Sequence, residues 1–151
     1  MSSKLAGLLA RYDSATAAMQ TALLPFLLLG LRLSVAWVFF RSGLSKIANW
    51  DSTLYLFELE YQVPLIHWQL AAYLATAGEL LLPVLLAVGL LTRVVASALF
   101  VINAVAVLSY PLLWEQGFYD HQLWGLMILV LMIWGAGPFS ADQLVRRTLT
   151  H

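Results

Sequence analysis

Four long apolar stretches, separated by short polar punctuation, organise this chain. The first runs from Ala22 to Gly43 and is interrupted by one charge, Arg32. The second, Gln69 to Leu91, carries Glu79 in its middle, and only Thr92 and Arg93 separate it from the third, Val94 to Leu113. The fourth, Gln122 to Phe139, ends on Gly135, Gly137 and Pro138. A membrane-crossing helix needs about 20 predominantly apolar residues, so each stretch predicts one span. The pattern predicts an all-α fold: an integral membrane four-helix bundle forming a single domain over 1–151, with spans at about 22–43, 69–91, 94–113 and 122–139.

Outside the spans, Leu5, Leu8, Leu9, Tyr12 and Met19 fall on one helical face, opposite Lys4, Arg11 and Asp13. This face predicts a short interfacial N-terminal helix over Ser2 to Gln20, with a cytosolic helix packed on the bundle as the alternative. Such an amphipathic stretch lacks the apolar run that follows the basic residues of a cleaved signal peptide. The one long loop, Arg41 to Trp68, holds a second short helix over Thr53 to Tyr61, with Pro64 as its expected stop.

Composition turns this pattern into a solvent. With 62% hydrophobic and 11% charged residues the surface must face lipid. The formal net charge of +0, with basic residues spread along the chain, excludes a nucleic-acid footprint. Zero cysteines exclude disulfides, thiolate metal sites and any self-contained thiol oxidoreductase. Basic residues near span ends set orientation: Lys4, Arg11, Arg93, Arg146 and Arg147 share one side, against Arg41 and Lys46 on the other. Both termini are therefore expected in the cytoplasm, with the long loop outside. Trp50, Trp68, Trp114 and Trp124 are expected to anchor the outer boundary.

Polar groups inside the spans carry the candidate chemistry, because a charge at a helix centre costs about 2.5 to 3.5 kcal/mol on insertion scales. Counted from the span starts, Arg32, Glu79 and Asn103 fall near the midplane, and an Arg32–Glu79 contact is expected. Lys46, Tyr110 and His121 fall at the outer boundary. If the stripes bearing these residues converge, they enclose an outward-opening cleft, with Glu79 and His121 as candidate catalytic groups and Arg32, Lys46, Asn103 and Tyr110 as ligand-binding groups. A structural salt bridge, and ordinary polar residues at a headgroup boundary, are the competing explanations. His67 and His121 together make too sparse a donor set for a metal or haem, and no metal site is assigned.

Several short motifs also recur in a known order: Arg32 in the first helix, Ser42-Gly43-Leu44-Ser45-Lys46 at its end, Glu79 in the second, Gly89-Leu90-Leu91-Thr92-Arg93 in the hairpin, and Gly137-Pro138-Phe139-Ser140-Ala141-Asp142 after the fourth. In these motifs the chain resembles the DoxX-like family of bacterial inner-membrane proteins, from Leu31 to Asp142. The blocks Asn49-Trp50-Asp51-Ser52-Thr53 and Glu60-Tyr61-Gln62-Val63-Pro64 resemble a branch encoded beside small ribosomally made, metal-related peptides. The resemblance implies a membrane subunit or accessory protein of a quinone-linked or stress-related redox system, with quinone as the relevant cofactor and a partner subunit or a second copy as companion. The alternatives are a non-catalytic membrane partner or assembly factor for a metal-related peptide or protein system, and a small-molecule transporter. The missing inverted repeat weakens the last of these.

Overall fold

A computed structural model describes residues 3–149, with side chains from residue 5 onward, so Ser2 and the Lys4 side chain lie outside the described residues. Among the described residues the chain is all-helical. The helices are α1 (Ser3–Ala48), α2 (Trp50–Leu59), α3 (Trp68–Val88), α4 (Thr92–Ser109), α5 (Phe118–Trp134) and α6 (Ala141–Leu149), with a 3-10 turn at Pro111–Trp114. Three of them, α1, α3 and α4, are long and apolar enough to cross a membrane, and α5 is a shorter apolar helix. The chain is thus an integral membrane protein by length and composition.

The N-terminal stretch is not a separate interfacial helix. It is the first part of α1, a continuous helix of 46 residues with Pro25 inside it. Runs of Ala and Leu on both sides of Pro25 favour helix strongly enough to carry it through a single missing N–H. At 1.5 Å per residue α1 is about 69 Å long, against roughly 30 Å of bilayer hydrocarbon. From Leu5 to Leu23 every residue except Thr16 is exposed, so the apolar stripe of Leu5, Leu8, Leu9, Tyr12 and Met19 packs on nothing described here.

Beyond Leu24 the helix enters the bundle and packs on α3 and α5, while α4 packs on the same two helices from the other side. The buried face of α3 is made of Ala71, Ala72, Thr76, Glu79, Pro83 and Leu86, several of them small. Small residues matter because lipid gives helices no hydrophobic reason to associate, which leaves close packing and polar contacts. At Gly43 a Cβ would lie 2.9 Å from the Leu80 side chain and 3.1 Å from the Glu79 carbonyl carbon. Glycine here lets the α1 and α3 backbones approach. It thereby fixes the register one turn further on.

At one end of the bundle α3 turns into α4. Gly89 caps α3 in the left-handed conformation at φ 74°, and Leu91 takes φ 50° before α4 begins at Thr92. Asp142, at the start of α6, accepts hydrogen bonds from the N–H groups of Leu91 (2.7 Å) and Thr92 (2.9 Å), so it caps α4 from across the chain. Its own N–H donates to the Gly89 carbonyl at 2.9 Å. The main core of Leu28, Val35, Phe39, Leu86, Leu99, Ile128 and Leu131 fills this half of the bundle.

The other end is built differently. α2 folds over the start of α3, with Phe57 packed on Ala71 and Ala72 in a small second core. It stops at Leu59, before Pro64 is reached, and the Gln62 N–H ties the following loop to the Ser109 carbonyl at 2.7 Å. The third span closes at Ser109 rather than Leu113 because Pro111 opens the 3-10 turn. The fourth helix begins at Phe118 and ends at Trp134, where Gly135 and Gly137 take positive φ.

Candidate functional site

The register set at Gly43 brings Lys46 to Glu79. The Lys46 ammonium donates to Glu79 Oε2 at 2.6 Å and to the Ser42 hydroxyl at 2.9 Å. With 16% and 9% of the two side chains exposed, the pair is largely withdrawn from solvent. On the facing helices, His121 Nδ1 lies 2.8 Å from Asn103 Oδ1, and Asn103 Nδ2 donates to the His121 carbonyl at 3.0 Å. Asn103 thus holds both the ring and the backbone of His121. The His121 Nε2 has no hydrogen-bond partner among the described residues. Trp124, expected at the boundary as an anchor, lies edge-on between His121 (4.8 Å) and Phe39 (6.2 Å) inside the bundle.

Glu79 and the Asn103–His121 pair face a common space. A cavity of about 460 Å3 between α1, α3, α4 and α5 is lined by Ser42, Glu79, Asn103, His121 and Trp124, with Arg41 among its walls. Its volume lies within the range of ordinary ligand pockets. Glu79 also lines a second cavity of about 150 Å3, whose remaining wall is nearly all apolar. Lys46 and Tyr61 belong to that second cavity and to a third, of about 230 Å3, which runs past Asn49 and Ser52 under α2. The Lys46–Glu79 pair is therefore the junction of three spaces of different polarity.

Tyr61 stands over this junction in a stacked column, 4.4 Å from Phe57 on one side and 4.6 Å from Tyr110 on the other. Burial, then the nearby charge of Glu79, pushes its phenol up to about 12. It stays a neutral hydroxyl at any physiological pH. Sequence reasoning left Tyr61 in a loop block without a role, because its position follows from how α2 folds back and not from helical spacing.

Of the six candidate residues, Lys46, Glu79, Asn103 and His121 come together. Tyr110 reaches this cluster only through Tyr61. Arg32 does not belong to it. The expected Arg32–Glu79 contact is not made: Arg32 donates to the carbonyls of Ala136 (3.0 Å) and Phe139 (2.6 Å) at the hairpin end, while Glu79 takes Lys46. The error lies in counting depth from Ala22. α1 has no end there, and an antiparallel helix pair that sets Lys46 beside Glu79 puts Arg32 near Gly89, about 21 Å further along the axis. His67 is likewise occupied elsewhere. Its Nδ1 accepts from the Gln69 N–H at 3.4 Å as the cap of α3, and no group of three metal-ligating side chains occurs among the described residues.

Comparison with known proteins adds one family and one relative. The family model described as DoxX matches residues 27–111. A protein of Haemophilus influenzae described as uncharacterized is 32% identical over 129 residues, covering 80% of this chain and 83% of its own length. No solved structure matches. The matched residues include α2, α3, α4 and the part of α1 that holds Arg32, Gly43 and Lys46; His121 lies beyond them.

Proposed function

The chain belongs to the DoxX family, and from that premise we propose that it is the membrane subunit of a quinone-linked redox system, binding the polar head of the quinone in the cavity between α1, α3, α4 and α5. One observation carries this reading: Glu79, held by Lys46, and the Asn103–His121 pair line one cavity inside a largely apolar bundle. Hydrogen-bonding side chains at such depth are costly unless they serve each other or a ligand. A bound quinone supplies a two-electron, two-proton acceptor. His121 Nε2 is available to hydrogen-bond a quinone oxygen, held in direction by Asn103 at Nδ1. Glu79 is suited to pass protons between the cavity and the space past Asn49 and Ser52, because it borders one and its partner Lys46 borders the other.

The electrons require a partner. With no cysteine in the chain, thiol-based transfer has to be supplied by another subunit. The exposed arm of α1, with Leu8, Tyr12 and Met19 uncovered, is consistent with a companion protein or a second copy. In this reading α5 is the fourth span of a four-helix bundle, its 17 residues being at the lower limit for crossing. The bundle sits in the bacterial inner membrane with both termini in the cytoplasm, as the basic residues favour.

The test is direct. Protein purified in mild detergent should quench its tryptophan fluorescence on titration with a quinone, through Trp124 beside His121. His121→Phe should raise the quinone concentration needed for half-quenching at least about tenfold, a loss of roughly 1.4 kcal/mol of affinity. Unchanged quenching in both His121→Phe and Asn103→Leu would overturn the quinone reading.

A further inference from the structure

We infer that the small apolar cavity on the far side of Glu79 is a lateral portal that receives the single hydrocarbon tail of an amphiphile whose polar head reaches the Lys46–Glu79 pair. This rests on the head-binding reading above and deepens it, by naming the shape of the ligand and its route of entry. The cavity has two unlike ends. Its inner end is Lys46 and Glu79, joined at 2.6 Å, with Tyr61 above them. Its outer end is bounded by Leu74, Val101 and Ile66, which are 55%, 59% and 40% exposed.

Leu74 and Val101 lie on exposed faces of the spanning helices, and Ile66 lies in the loop just before α3. Leu74 continues a row of exposed α3 residues with Leu70, Leu81 and Leu85, and Val101 sits between Val94 and Leu108 on the outer face of α4. The cavity therefore opens between α3 and α4 into the hydrocarbon, not into water. Ala75 and Ala106 keep the passage clear, since larger side chains at these lining positions would close it.

Chemistry selects the occupant. An ion would not enter through hydrocarbon, and a wholly apolar molecule would gain nothing at the inner end, where a charged pair and a phenol wait. A molecule with a polar head and an apolar tail satisfies both ends at once. At about 150 Å3 the passage suits one chain rather than the two of a diacyl lipid. Because Glu79 forms part of the wall of both this cavity and the larger one, a head that passes it enters the space beside Asn103 and His121 while its tail remains behind in the portal.

The experiment uses the full chain in lipid nanodiscs and a decyl-tailed benzoquinone carrying a photoreactive diazirine midway along the tail. After illumination, labelled peptides are mapped by mass spectrometry, with and without an excess of the tailless benzoquinone head. The expected result is labelling concentrated on Leu74–Gly78 and Val101–Val105 that falls at least about fivefold with the competing head. Ala75→Trp, and independently Val105→Trp, should remove that label, while Leu108→Trp on the lipid face should leave it. Melting curves confirm that each variant is folded, and a variant that fails to fold is replaced by the other. Head-competed label found instead around Trp37 and Trp124 would overturn the portal and leave the head site standing. Label that the head does not compete at all would overturn both.

Discussion

The two ends of this bundle bury charge in opposite ways. At the hairpin end Arg32, Arg93 and Asp142 bond to backbone. Arg32 covers the carbonyls of Ala136 and Phe139, Arg93 donates to the Ile133 carbonyl at 3.0 Å, and Asp142 takes the N–H groups of Leu91 and Thr92. The Ile133 carbonyl and the Leu91 and Thr92 N–H groups are ones a helix end leaves without partners, the Ala136 and Phe139 carbonyls belong to the turn after α5, and the macrodipole favours cations at the α5 C-terminus and an anion at the α4 N-terminus. In the loop half the charged and polar side chains pair with each other, and the pairs line open space. Arg32 stands outside both cavities that Glu79 lines. A buried charge in a membrane helix is thus not evidence of a site until its partner is known. When the partner is backbone the charge is structural, and when it is a side chain beside a cavity it is a candidate for chemistry.

That contrast is breakable by substitution, and the largest effect is expected at the ion pair. Lys46→Met or Glu79→Leu alone strands one charge and should cost about 3 to 5 kcal/mol of stability, whereas the double variant should recover much of the loss. A double-mutant cycle on thermal or denaturant unfolding measures the coupling. The same cycle for Arg32 and Glu79 should be additive within about 0.5 kcal/mol, since the two share no partner. Coupling between Arg32 and Glu79 would erase the distinction between the ends.

Next in size is the hairpin itself. Gly89→Ala combines a left-handed backbone with a Cβ driven into Arg32 and Ser140, and should cost at least about 2 kcal/mol. Its effect should appear in stability and leave the ratio of ligand affinities among folded variants unchanged. A selective loss of ligand binding would show that the two ends communicate.

A smaller effect belongs to Asp142. Burial raises its carboxyl, but the N–H groups of Thr92 and Leu91 and the charge of Arg146 outweigh that and hold it below the ordinary value of 3.8. A depressed carboxylate contributes stability that is complete above the unfolded value and is lost as pH falls through the folded one. Acid should therefore loosen the hairpin end only below about pH 3.8, and Asp142→Ala should remove this step at a cost of roughly 1 kcal/mol. Melting temperature against pH for the two proteins checks it. The smallest effect on stability is expected at His121→Phe, about 0.5 kcal/mol from the lost, part-buried Asn103 contact. There the loss of ligand should exceed the loss of stability. Equal losses would place His121 with the structural residues.

Much of this was legible in the sequence. Apolar runs gave the long helices, the two-residue gap gave the tight turn, and helical spacing put Glu79 and Asn103 on buried faces. Four of the six candidate side chains do meet. What failed was depth. Lys46 and His121 were expected in an outer layer above Glu79 and Asn103, yet all four share one level, because α1 and α5 do not start where their apolar runs start. Helical periodicity fixes which way a side chain faces but not how far along the axis its neighbour lies. That offset is set by contacts between helices, such as Gly43 against Leu80, and by the fold-back of α2, which no single-helix pattern encodes.

The Arg32 contacts also impose an order in time. Their acceptors lie 104 and 107 residues later in the chain, so when α1 first leaves the ribosome the guanidinium has no carbonyl to hold. Lys46 waits only 33 residues for Glu79. During biosynthesis the ion pair can therefore close once α3 has followed α1, while the Arg32 acceptors exist only after the turn beyond α5 has been made. The last residues of the DoxX-matched arrangement to be satisfied are thus among the first to be translated, and a nascent chain halted before Ala136 would be held together at one end only.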